Sequence, residues 1–67
     1  MIRLNGEESR LQPGETVAAA LESLGVSPQA RGVAVAVDGE VVPRARWDSL
    51  KLDDEARVEV LTAMQGG

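Results

Sequence analysis

The chain has 67 residues, room for one small domain, and its 43% hydrophobic and 27% charged residues are typical of a globular protein. The absence of cysteine and histidine excludes disulfides, thiol chemistry, and nucleophilic or metal sites built on those side chains. The net charge of −4 disfavours a nucleic-acid-binding protein and suits a protein partner with a basic or mixed surface.

The first eleven residues have the pattern of a β-hairpin. Ile2 and Leu4 alternate with a polar residue, and Asn5-Gly6 is a strong signal for a two-residue turn. We predict that residues 9–11 return as the second strand.

Residues 16–25 predict the one clear helix. Its apolar side chains recur at the i, i+3, i+4, i+7 spacing of a single face: Val17, Ala20, Leu21 and Leu24. Thr16 offers an N-cap hydroxyl, and Gly25 is placed to end the helix.

Residues 33–42 predict a second hairpin around an Asp38-Gly39 turn, and Pro43 ends its returning strand. Residues 44–56 form a connector with a short helical turn, from which Leu50 and Leu52 reach the core. Residues 57–64 predict the last strand, with alternating apolar and charged side chains.

This order of elements predicts an α+β fold of the β-grasp, or ubiquitin-like, type: a mixed four- to five-stranded sheet packed against one main helix. The final strand is expected to lie centrally beside the first. We predict a domain over residues 1–64 and a flexible tail over residues 65–67.

The tail, Gln65-Gly66-Gly67, is the most distinctive chemical feature of the chain. Glycine has no Cβ and is not chiral, so the carboxylate of Gly67 is unhindered and can thread, with Gly66 and Gln65, into a partner's narrow channel. A carboxylate must first be activated, for example as an acyl-adenylate, and the chain has no glycine-rich phosphate loop. We therefore interpret the protein as the substrate of an activating enzyme and not as an enzyme. The alternative is a frayed end without function.

Several stretches together resemble the ThiS-type sulfur carrier proteins of thiamin biosynthesis, over nearly the whole chain. They are the early Asn5-Gly6, VAVAVDGEVVPRARW at residues 33–47, and the closing RVEVLTAMQGG. The most specific part is VVPRARW followed about twenty residues later by Gly-Gly. One departure is Asp53-Asp54-Glu55, where relatives often have Asp-Gly-Asp.

The resemblance implies a defined series of partners. A ThiF-type adenylyltransferase, supplying ATP and magnesium, would adenylate Gly67, and a persulfide sulfur donor would convert it to a thiocarboxylate. The carrier would then donate this sulfur to thiazole synthase. We expect a cytoplasmic monomer without a cofactor, a signal peptide, a nucleic-acid partner or a membrane segment.

Two other functions stay open from the sequence. The chain could carry sulfur for molybdopterin or cysteine synthesis, or be a β-grasp binding module with an inert tail. An enzyme is the weakest interpretation, because no catalytic constellation can be assembled without histidine and cysteine.

The predicted partner-docking residues lie on the sheet and in the connector. Ala34 and Ala36 lie opposite the valine face and form either a flat docking surface or a strip covered by neighbouring side chains, and Leu61, Ala63 and Met64 extend it. The connector adds three candidates: Arg44, Arg46 and Trp47. The arginines either contact an acidic partner or belong to a solvated loop. Trp47 is either a docking anchor or a lid over the edge of the core.

Overall fold

The computed structural model describes residues 1–63. These residues form five strands, one α-helix and one 3₁₀ turn, in the order β1 (Arg3–Leu4), β2 (Glu7–Glu8), α1 (Val17–Ser23), β3 (Val33–Val37), β4 (Glu40–Val41), the 3₁₀ turn (Arg44–Arg46) and β5 (Arg57–Thr62). No helix within residues 1–63 has the length and apolar character needed to cross a membrane.

The strands form a single mixed sheet in the order β2-β1-β5-β3-β4. Strand β5 runs parallel to β1 and antiparallel to β3, and the two hairpin pairs are antiparallel. The last strand is therefore central and lies beside the first. The β-grasp prediction is confirmed.

The first hairpin turns through Asn5 and Gly6, whose φ angles of 53° and 82° are those of a type I′ turn. A two-residue turn places Glu7 opposite Leu4, so the returning strand is Glu7–Glu8. The prediction that residues 9–11 form this strand was wrong, because the return begins directly after the turn. Ser9 instead extends the pairing through its N–H, which donates to the Ile2 carbonyl at 3.1 Å.

The second hairpin was predicted correctly. Asp38 and Gly39 have φ angles of 52° and 85°, again the type I′ geometry. They connect β3 to the short edge strand β4 with Val37 opposite Glu40.

Helix α1 begins at the predicted cap, where the Thr16 hydroxyl accepts a hydrogen bond from the Ala19 N–H at 3.3 Å. Val17, Ala20 and Leu21 are buried against the sheet. Leu24 is 41% exposed, so the prediction that it belongs to the buried face was wrong. The helix ends at Ser23, and Leu24 is the C-cap residue, where the chain turns away.

The core lies between α1 and one face of the sheet and is almost entirely aliphatic. It consists of thirteen buried side chains: Ile2, Leu4, Leu11, Val17, Ala20, Leu21, Val35, Val42, Trp47, Leu52, Ala56, Val58 and Val60. Within β5, Val58 and Val60 point into this core, whereas the alternate residues of the strand are exposed. The opposite face of the sheet is not covered by any of the described residues.

Side chains from both hairpin turns bind the backbone of the central strand. The Val60 N–H donates to Asn5 Oδ1 at 2.7 Å, and the Arg57 N–H donates to Asp38 Oδ1 at 3.0 Å. Each of these turn residues therefore has two functions, since each also adopts the positive φ that its turn requires.

The turn before β5 contains the residues that depart from the Asp-Gly-Asp pattern. Glu55 adopts φ 69°, a left-handed conformation that glycine would take without steric cost. The amino group of Met1 donates to Asp54 at 2.9 Å and also contacts Glu55. Its hydrogen bond to Asp54 raises the pKa of the amino group and lowers the pKa of the Asp54 carboxyl. The turn therefore closes without glycine and is tied to the start of β1.

The two functions of Asn5 can be separated by substitution. Asn5→Gly keeps the turn and loses the acceptor for Val60, so it should lower the free energy of unfolding by about 1–2 kcal/mol. Asn5→Ala loses the same acceptor and, unlike the glycine variant, keeps a Cβ in the left-handed region, so it should cost about 1 kcal/mol more than Asn5→Gly. Urea unfolding followed by circular dichroism measures both values.

Asn5→Asp is the matched control, because it keeps an oxygen acceptor at the same position. An Asn5→Gly variant as stable as the unchanged protein would show that the bond to Val60 adds nothing to the stability of the sheet.

Candidate functional site

The last described residue, Ala63, directly follows the central strand. Strand β5 ends at Thr62, and the Ala63 N–H donates to the Gly32 carbonyl at 2.7 Å. This bond fixes Ala63 beside the start of β3. The remaining predicted tail and docking residues lie outside the described residues: Met64, Gln65, Gly66 and Gly67. Their roles stay predictions.

The uncovered side of the sheet, opposite α1, is called the open face below. Four of its side chains form an apolar patch: Ala34, Ala36, Val41 and Leu61. They are neighbours through strand pairing, since Ala34 lies opposite Leu61 and Ala36 lies opposite Val41. Val41 is 77% exposed and Leu61 is 71% exposed. The structure thus brings together three of the predicted docking residues.

Val41 belongs to this patch, although the sequence analysis did not include it. The alternation of side chains along a strand explains the position of Val41. Because Val42 is buried, the side chain of the residue before it faces the opposite side of the sheet. Ala63 is also exposed and follows Leu61 at the two-residue spacing of a strand face. Exposed apolar side chains gathered on one face are typical of a protein-interaction surface.

Arg44 makes contacts within the molecule. Its guanidinium donates to the carbonyls of Pro28 and Ala30, at 2.5 Å for the second, and lies 4.4 Å from the centre of the Trp47 ring. These contacts tie the loop before β3 to the 3₁₀ turn. Arg46 is exposed in the same turn. These contacts show a structural role for Arg44, and its predicted docking role stays a prediction.

Trp47 lies at the edge of the core and not on the surface. It is 3% exposed, and its indole Nε1–H donates to the Val42 carbonyl at 2.9 Å. The docking role predicted for Trp47 does not fit this position, because its ring is enclosed by the protein itself. The alternative interpretation of a lid over the core agrees with the structure.

The described part of the chain contains no group of three or more acidic side chains placed to hold a metal ion.

The architecture places the protein in the class of ubiquitin-like β-grasp domains, with a central last strand that leads directly into the C-terminal segment. The family model described as the ThiS family matches residues 2–67. The chain therefore belongs to the ThiS family.

Two solved structures, both from Geobacter metallireducens, are similar to the chain over almost its whole length. One is the crystal structure of a thiamine biosynthesis protein (ThiS), with 35% sequence identity, a TM-score of 0.73, and coverage of 98% of this chain and 97% of that one. The other is the NMR solution structure of a thiamine biosynthesis protein, with 35% identity, a TM-score of 0.74, and coverage of 98% and 86%. No curated protein matches the chain.

The burial of Trp47 has a direct spectroscopic consequence. We expect its fluorescence to be blue-shifted relative to a free tryptophan derivative, and iodide to quench it weakly until the protein unfolds in urea. Trp47→Phe should lower the free energy of unfolding by about 1–3 kcal/mol, because it removes the indole donor and leaves the Val42 carbonyl unpaired.

The emission of the native protein and the urea midpoint of Trp47→Phe together test this position. The core role of Trp47 would be contradicted if the native protein had the same emission maximum and the same iodide quenching as the urea-unfolded chain.

Proposed function

We propose that this protein is a sulfur carrier of thiamine biosynthesis and that the carboxylate of Gly67 is the group that carries sulfur. The observation that carries the proposal is the ThiS family match, which extends to Gly66 and Gly67. The similarity to two thiamine biosynthesis proteins at 35% identity supports the pathway. The lack of cysteine and histidine leaves the C-terminal carboxylate as the natural attachment point.

The first step is activation of this carboxylate by a ThiF-type enzyme. A carboxylate oxygen of Gly67 attacks the α-phosphorus of ATP, and pyrophosphate leaves, with magnesium held by the enzyme. The product is an acyl-adenylate, whose acyl carbon is a far better electrophile than that of the carboxylate. Glycine leaves this carbon unhindered and without a stereocentre that activation could epimerise.

The second step loads sulfur. The terminal sulfur of a persulfide donor attacks the acyl carbon, and AMP leaves. A second thiol then cleaves the sulfur–sulfur bond, which yields the thiocarboxylate of Gly67 and a disulfide. A thiocarboxylate is more nucleophilic than a carboxylate, so it can donate its sulfur to the substrate of thiazole synthase.

The geometry of β5 suits a carrier that must present its terminus to other proteins. Ala63 is fixed to Gly32 at the end of the sheet, and the four residues after it can span about 14 Å when extended. Leu61 lies two residues before Ala63 on the same strand. A partner that binds the apolar patch therefore also contacts the strand residues next to the tail. This contact restricts the positions that the C-terminus can sample relative to the partner.

The central test is the intact mass of the protein after reaction. Incubation with ATP, magnesium, a ThiF-type enzyme, a persulfide donor and a reducing thiol should add about 16 Da, the atomic mass difference between sulfur and oxygen. Deletion of Gly67 should abolish this gain while the urea midpoint stays unchanged, because the thirteen buried side chains of the described residues come from residues 2–60.

The enzyme must be proven active on another carrier in the same experiment. An unchanged mass with such an enzyme would favour a β-grasp binding module with an inert tail. Loss of folding on deletion of Gly67 would contradict the proposed division between body and tail.

The role of the apolar patch is tested by placing a charge on it. Leu61→Asp should raise the KM of the activating enzyme for the carrier at least about tenfold, because a carboxylate would be desolvated in the interface. Leu24→Asp is the matched control, since Leu24 is also an exposed leucine but lies at the end of α1.

Both leucine variants should change the free energy of unfolding by less than about 1 kcal/mol, since both side chains are substantially exposed. Equal KM values for the two variants would show that the activating enzyme does not use the patch.

A further inference from the structure

Two arginines lie side by side on the open face. Arg3 of β1 and Arg57 of β5 are register partners in the parallel pair at the centre of the sheet. Both are exposed, whereas the next residue of each strand, Leu4 and Val58, is buried under the helix. Strand alternation therefore directs both guanidinium groups to the open face.

Neither arginine has an ionic partner within residues 1–63. The only salt bridges in this part of the chain are those of the Met1 amino group with Asp54 and Glu55. Like charges directly opposite each other disfavour strand pairing. Arg3 lies between Arg57 on one side and Glu8, its antiparallel register partner in β2, on the other. A carboxylate that bound both guanidinium groups would offset the repulsion between them.

The pair borders a shallow depression of about 520 Å³ on the open face. Its lining also includes residues of both hairpin turns and of β5: Gly6, Asp38, Gly39, Val58 and Glu59. Glu59 borders the apolar patch as well, so the depression and the patch are continuous. Leu61 lies four positions after Arg57 in β5, a distance of about 13 Å along an extended strand.

We propose that Arg3 and Arg57 bind a carboxylate on the surface of the activating enzyme when that enzyme docks on the open face. The inference rests on the proposed carrier function. Arginine suits this role because its planar guanidinium can donate two parallel hydrogen bonds to one carboxylate. The enzyme surface that fits has an acidic side chain about 13 Å from an apolar contact.

A second point of contact determines the orientation of the carrier. The apolar patch alone has little directional character, so a partner could bind it in more than one rotation. A carboxylate at the arginine pair selects the rotation in which β5 runs from the acidic group towards the apolar contact and on to the tail. In this proposal, that rotation is the one that directs Gly67 to the ATP bound by the enzyme. Complementary charge also increases the association rate.

The experiment compares two double variants of equal charge. Arg3→Gln/Arg57→Gln removes the pair, and Arg10→Gln/Arg31→Gln removes two exposed arginines that are not in the strands. We expect the first to raise the KM of the activating enzyme about tenfold with kcat changed less than about twofold, and the second to change KM less than about twofold. Arg3→Lys/Arg57→Lys should restore part of the loss, since lysine keeps the charge without the fork geometry.

Salt provides a second readout. For the unchanged protein and the Arg10/Arg31 control, KM should rise with ionic strength, whereas the Arg3/Arg57 variant should lose most of this dependence. A merely structural role of the arginines would lower the urea midpoint without changing the salt dependence.

The outcomes separate this inference from the carrier function. If the unchanged protein is adenylated and the two glutamine variants have equal KM values, the arginine pair is not a recognition site although the carrier function stands. A fall in kcat at constant KM would also overturn the inference. If the unchanged protein is not adenylated at all by a proven enzyme, both proposals fail.

Discussion

The central position of β5 is the constraint on which the rest of the structure depends. The strand pairs with β1 on one side and with β3 on the other, and the side chains of Asp38 and Asn5 accept hydrogen bonds from its backbone at Arg57 and Val60. This register decides which side chains face the core. A shift by one residue would exchange the buried valines of β5 for its exposed charges.

One strand thereby connects all parts of the molecule that matter for the proposed function. Its inner side chains, Val58 and Val60, help to form the core, and its outer side chains include Arg57 and Leu61 on the open face. Its end leads through Ala63 to the tail. The same strand therefore supplies core residues, open-face residues and the connection to the tail.

The sequence was most informative where local chemistry decides the structure. Asn5-Gly6 and Asp38-Gly39 specify their turns, because the type I′ geometry needs positive φ at both positions. The pattern of the last strand predicted its buried valines and its exposed charges. The returning strand of the first hairpin was misplaced because the length of the turn, and not the run of side chains, determines where pairing resumes.

The remaining differences arise from tertiary structure. Trp47 is as suitable for an interface as for a core, and only the packing of the 3₁₀ turn on the core edge decides between them. Arg3 and Arg57 are neighbours because β1 and β5 pair in parallel. This contact joins residues 54 positions apart in the sequence, so no local sequence pattern predicts it. Glu55 adopts a positive φ in a turn that contains no glycine, a conformation that the sequence did not predict.

The central claim, that sulfur travels on Gly67, is tested most directly by following labelled sulfur through one turnover. The carrier is loaded with ³⁵S from a labelled persulfide, purified, and mixed with thiazole synthase and its other substrates. We expect the label to leave the carrier and to enter the thiazole, with one labelled thiazole formed per loaded carrier, and the carrier to return to its original mass. Label that stays on the protein, or that loads equally well on a chain lacking Gly67, would contradict it.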